Sequence, residues 1–166
     1  VIQNKDAQVH FLVGGTQTNT TVISAALRPH QGVLTAQSGH VAVHETGAIE
    51  AVNHKVLTLL SQNGKLNASQ IDEYVEGHFK DESFEHMVQP KMVYLSHPTE
   101  LGTLYTRKEI EEIAQICKKW DLYLYLDGAR LGYGLGVVES DVTLPLLAEL
   151  CDVFYIGGTK VGALFG

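Results

Sequence analysis

Residues 122–130 read LYLYLDGAR and residues 152–160 read DVFYIGGTK. Each is a short apolar and aromatic run that stops at glycine and at a side chain able to carry charge. Runs of four to six such residues bounded by turn residues predict strands buried on both faces. Thr143 to Leu150, between them, predicts a helix. Thr106 to Trp120, just upstream, predicts an amphipathic helix with Ile110, Ile113, Ala114 and Cys117 on one face, opened by a capping box of Thr106 and Glu109. Lys91 to Leu95 (KMVYL) predicts the strand before it.

The same alternation continues toward the amino terminus. Ala68 to Phe84 predicts a helix with Ser69 as its cap. His54 to Leu60 and Val33 to Ala36 predict strands. Residues 40–51 predict a short helix after two histidines. Gln17 to Leu27 predicts a helix ended by Pro29. Residues 8–13 (QVHFLV) predict a further strand, turned by Gly14-Gly15-Thr16. Strands alternating with helices require right-handed crossovers and a mainly parallel sheet, giving a three-layer α/β/α domain. Ligands of such sheets sit beyond the carboxyl ends of the strands. Gly14, Gly15, Thr16, Ser96, Asp127, Arg130, Thr159 and Lys160 all fall there.

The bulk numbers limit the partners. The 166 residues are 45% hydrophobic and 19% charged, a globular composition. A net charge of −7 argues against nucleic acid, which needs a basic face. Cys117 and Cys151 lie in apolar stretches and read as buried thiols, not as a disulfide framework. No apolar run is long enough to span a bilayer and no signal peptide is evident, so the expectation is a cytoplasmic protein without a membrane partner. The start without Met and the stop at Ala163-Leu164-Phe165-Gly166 read as part of a longer polypeptide.

Three short motifs point to chemistry. Gly14-Gly15-Thr16 opens a helix, where close backbone approach, free N–H groups and helix dipole suit an anion. It is neither a dinucleotide fingerprint nor a P-loop. Asp127 at the end of a buried strand needs a partner, either Arg130 or a protonated ring nitrogen. Lys160, among glycines and apolar residues, is expected to be partly desolvated, which favours amine nucleophile chemistry. His40 and His44 with Glu45 read HVAVHE rather than HExxH, so no metal site is expected. No GxSxG elbow is present.

Taken in order, GGTQTN (14–19), SGHVAVHETGA (38–48), SHPTELGTLY (96–105), YLDGARLGYGL (125–135) and FYIGGTKVGALFG (154–166) resemble the threonine aldolase and aromatic β-eliminating lyase family. These are fold-type I enzymes dependent on pyridoxal 5′-phosphate (PLP). The likeness is greatest to the low-specificity L-threonine aldolase branch. It implies that residues 1–166 are part of the PLP-binding large domain, with the carboxy-terminal small domain absent from this chain. It implies that Gly15 and Thr16 hold the cofactor phosphate and that His40 stacks on the pyridine ring. Asp127 would pair with the ring nitrogen. Arg130 would lie beside the ring hydroxyl or the substrate carboxylate, and Thr159 would flank Lys160, which holds the cofactor covalently.

The catalytic residues so implied are Lys160, His40 and Asp127. The chain departs from the family pattern at His44 and Glu100, either of which could take the β-hydroxyl proton. The implied reaction is cleavage of L-threonine or L-allo-threonine to glycine and acetaldehyde by a homodimer or homotetramer with shared active sites. β-Elimination or transamination would use the same cradle. An inactive chain with only a structural or assembly role is the alternative of another class. The enzyme reading requires Asp127 and Lys160 to serve one cleft.

Overall fold

A computed structural model describes residues 2–164; Phe165 and Gly166, the end of the last motif, lie outside the described residues. Five strands form one parallel sheet: β1 (Gln31–Ala36), β2 (Val56–Leu59), β3 (Gln89–Ser96), β4 (Tyr123–Asp127) and β5 (Val153–Phe154). Their spatial order is β2-β1-β3-β4-β5 and every pairing is parallel.

Side chains alternate across the sheet and so divide the core in two. Leu34, Val93, Leu95, Leu124 and Leu126 point to one face. There they meet Ile71 and Val75 of α4 (Ala68–Lys80), Ile110, Ile113 and Cys117 of α5 (Arg107–Lys119), and Leu147 of α7 (Leu144–Leu150). Val33, Met92, Tyr94 and Tyr125 point to the other face. They pack on Ile23 of α1 (Gly15–Ala26), Val41 of α2 (His40–Val43) and Ile49 of α3 (Ala48–Ala51). The three-layer α/β/α architecture is thus observed. The short α6 (Leu131–Leu135) follows β4. Among the described residues, no helix is long and apolar enough to cross a membrane.

Several local expectations are corrected. Residues 8–13 form no strand; Phe11 is 96% exposed, and the run has apolar side chains but no neighbouring ladder to pair with. Helix α1 begins at Gly15, because Gly14-Gly15-Thr16 is its cap and first turn rather than a separate turn. Asn67, not Ser69, caps α4: its side chain accepts from the Gln70 N–H at 2.9 Å, and Gln70 reciprocates. That helix stops at Lys80, where Asp81 turns extended, and Phe84 falls in a separate 3₁₀ turn. The Thr106–Glu109 capping box on α5 forms as expected.

Candidate functional site

Asp127 ends β4 directly opposite Ser96, which ends β3. It is buried. One carboxylate oxygen, Oδ2, accepts from the Tyr94 hydroxyl and from Asn19 Nδ2 at 3.3 Å; the other accepts the Ala129 N–H at 2.8 Å. Three donors satisfy this carboxylate, as burial demands. Arg130 forms no ion pair with it among the described residues, nor does its side chain cap α6. The expected choice between an Asp–Arg pair and a ring-nitrogen partner therefore loses its first branch.

Tyr94, Tyr125 and Tyr155 surround Asp127. Burial, reinforced by the Asp127 charge, holds all three phenols above the usual tyrosine range, so each stays a neutral hydroxyl. Tyr155 also explains Gly15: a Cβ there would meet the Tyr155 hydroxyl at 2.9 Å.

His40 opens α2 and is partly exposed. Its Nδ1 lies 2.8 Å from Oε1 of Glu45, whose side chain is fully buried. That same oxygen accepts from Asn19 Nδ2 at 2.6 Å, and Asn19 Oδ1 accepts from the Tyr125 hydroxyl at 2.7 Å. A chain of hydrogen bonds thus runs from His40 through Glu45 and Asn19 to Asp127. Glu100 plays a local part: its Oε1 accepts from the Ser96 hydroxyl at 2.6 Å and from the His40 backbone N–H at 3.1 Å. His44 is exposed, with its ring centroid 5.7 Å from that of His40.

A cleft of about 820 Å³ lies beside this network. Gly14, Gly15 and Thr16 line it from the start of α1. His40, Thr159 and Lys160 line it as well, with Ala129 beside them. Lys160 sits in a 3₁₀ turn, its carbonyl accepting from the Tyr133 hydroxyl. The partial desolvation expected of its ammonium is not found: Lys160 is exposed, because the segment from Gly157 to Leu164 is itself half-buried or exposed. Asp127 does not line the cleft; it lies behind Ala129, whose N–H it holds. The turn carrying Asp127 and the loop carrying Lys160 interlock. The Gly157 N–H donates to Gly128 O at 2.9 Å, and a Cβ on Gly157 would come within 2.7 Å of Ala129 Cα.

Asn19, Glu45 and Tyr94 were not singled out as site residues from sequence. Asn19 could have been found, since it lies four residues before buried Ile23 on one face of α1, where a polar side chain must find a buried partner.

The donor set fits a phosphorylated aldehyde with a basic ring. The twelve-residue α1 presents its first N–H groups beside Gly14, where a Cβ would meet nothing within 4 Å and an anion has room. A primary amine shares that cleft, and an acceptor-only carboxylate stands behind it. An α/β sheet of this order with these groups at its carboxyl edge defines a domain of the kind found in fold-type I PLP enzymes. Residues 2–164 match the family model for Beta-eliminating lyase, and the chain belongs to that family.

The chain is 31% identical over 166 residues to a low specificity L-threonine aldolase of a Pseudomonas strain, covering 97% of this chain and 46% of that protein. A solved structure of Leishmania major threonine aldolase matches with TM-score 0.94 at 49% identity, over 99% of this chain and 47% of that one. The PLP-bound C-S lyase of Staphylococcus hominis shares the fold, with TM-score 0.55 at 13% identity over 69% of this chain and 28% of that chain. The chain spans about half the length of the curated relatives it matches.

Proposed function

We propose that this chain is the cofactor-holding part of a PLP-dependent carbon–carbon lyase that cleaves β-hydroxy amino acids. L-Threonine or L-allo-threonine would give glycine and acetaldehyde. The observation that carries the reading is the single cleft bringing Gly15 and Thr16, His40 and Lys160 together, with Asp127 behind it. The family membership and the likeness to threonine aldolases support it. The reading includes an assembly of two or four copies that share active sites, and a cytoplasmic setting in keeping with the free thiols Cys117 and Cys151.

Each residue has a role that its position supports. The N–H groups of Gly15 and Thr16 bind the phosphate at the positive end of α1. With the cofactor bound, His40 would cover the ring and Asp127 would keep the ring nitrogen protonated. Arg130, unpaired with any carboxylate among the described residues, is available to the ring hydroxyl or the substrate carboxylate. Thr159 flanks Lys160, the covalent anchor. Bound there, PLP supplies an electron sink at the substrate Cα. A base on the chain takes the β-hydroxyl proton as the Cα–Cβ bond breaks, and Lys160 returns a proton to Cα. His44 is the freer candidate for that base, because one oxygen of Glu100 is already committed to Ser96 and the His40 N–H.

Borohydride reduction of the PLP-treated full-length protein, followed by peptide mapping, tests the assignment. A pyridoxyl group on Lys160 is expected, and its loss in Lys160→Ala. A pyridoxyl group on any other lysine would refute the site. β-Elimination is the second reading, favoured by the description of the matching family. A substrate panel separates them: acetaldehyde from threonine marks the aldol cleavage, whereas pyruvate from a β-substituted amino acid marks elimination.

A further inference from the structure

We propose that Glu45 is a positioning residue: its buried carboxylate fixes the His40 ring by accepting the Nδ1 proton and, through Asn19, ties that ring to the Asp127 carboxylate. The proposal rests on the preceding reading, in which His40 and Asp127 face the same cofactor.

The Asn19 amide has two ends, oxygen and nitrogen, that its hydrogen bonds must tell apart. Its Nδ2 position lies 2.6 Å from Glu45 Oε1 and 3.3 Å from Asp127 Oδ2. Two carboxylate oxygens on one side of an amide require the NH₂ group there, and the Tyr125 hydroxyl then donates to the remaining oxygen at 2.7 Å. The proton positions follow. Glu45 as a carboxylate offers acceptors only, so the 2.8 Å contact from its Oε1 to His40 needs a hydrogen on Nδ1. In the neutral ring the lone pair is then on Nε2, and the ring plane is set by a side chain that solvent cannot reach.

Packing alone does not account for a carboxylate at this position. The Glu45 side chain is fully buried, and its Oε2 has no hydrogen-bond partner among the described residues. Leaving a buried charged atom unpaired is costly, and such costs accumulate where a function is maintained. A glutamine would fill the same space without charge. The ionisable groups around the His40 ring are Glu45 on Nδ1, His44 at 5.7 Å between centroids, Lys160 in the shared cleft, Glu100 on the backbone N–H, and Asp127 one amide beyond Glu45. Of these, Glu45 alone holds a ring nitrogen of His40 among the described residues.

The test uses full-length protein with ¹⁵N-labelled histidine rings, read by NMR without added PLP at a pH where the rings are neutral. The expected result is a His40 signal of the Nδ1–H tautomer. It should be retained in Glu45→Gln, whose amide oxygen still accepts, and should move to mainly Nε2–H in Glu45→Ala. PLP uptake, followed by absorbance, should weaken on the order of tenfold in Glu45→Ala, as when the partner that orients a ligating group is removed. A wild-type His40 in the Nε2–H tautomer overturns the proposal, and so does a tautomer unmoved by Glu45→Ala. If Glu45→Ala fails to fold, the wild-type tautomer still decides. PLP fixed on Lys160 together with an Nε2–H His40 upholds the function and sinks this proposal. The Nδ1–H tautomer in a protein that takes up no PLP does the reverse.

Discussion

His97 shows how a residue outside the cleft can govern stability. It is completely buried; its Nδ1 accepts the Tyr105 N–H at 3.3 Å, and its Nε2 has no partner among the described residues. Burial pushes its imidazole down to about 4, against a smaller upward pull from Asp141. The unfolded chain therefore binds a proton near pH 6.5 that the folded chain refuses until about pH 4. Stability from this residue is complete above pH 6.5 and is lost as pH falls through that window, a contribution of about 3 kcal/mol. In His97→Asn, whose side-chain oxygen can replace Nδ1 as acceptor, the fall in melting temperature between pH 6.5 and 4 should be distinctly shallower than in wild type. An unchanged slope would show that other groups carry it. Lys160, His40, Gly15 and Thr16, which line the cleft, and Asp127 behind it were singled out in sequence because glycine-marked turns carry them. Glu45 and Asn19 were not, since their meaning comes from contacts made across 26 and 108 positions of chain.

At the scale of elements, helix boundaries were read best where a side chain states them. Thr106 and Glu109 form their reciprocal cap on α5 as the spacing predicts. On α4 the expected cap was Ser69, but Asn67 takes the role because its backbone is extended while Ser69 is already within the helix. Asn67→Ala should therefore cost about 1 kcal/mol in denaturant unfolding. Ser69→Ala, which removes only a hydroxyl bonded to Asn67 Oδ1, should cost less. Equal losses would contradict the assignment. The 8–13 run marks the limit of such reading: apolar side chains predict a strand only where a second strand offers its N–H and C=O groups, and that information is not local.

Over the whole molecule, the parallel sheet and its two helical layers were legible from the alternation of element types, while the order β2-β1-β3-β4-β5 was not. The cleft depends on two loops that meet only after the sheet is assembled. Gly128 is where they touch, for a Cβ there would intrude on the Tyr155 carbonyl oxygen and crowd Leu131 at 3.0 Å. Gly128→Ala should destabilise the fold by about 1–3 kcal/mol, the usual cost of overpacking, and should abolish PLP uptake. Normal uptake by this variant would mean that the interlock does not shape the cleft. The sheet order carries one more consequence. No two adjacent strands are joined by a tight hairpin, and β3 must find β1 after the whole of β2 and α4 has been laid down. Every ladder closes a loop of dozens of residues before its hydrogen bonds offset the lost chain entropy, so self-assembly of this domain is kinetically slow and leaves apolar strands transiently open to wrong neighbours.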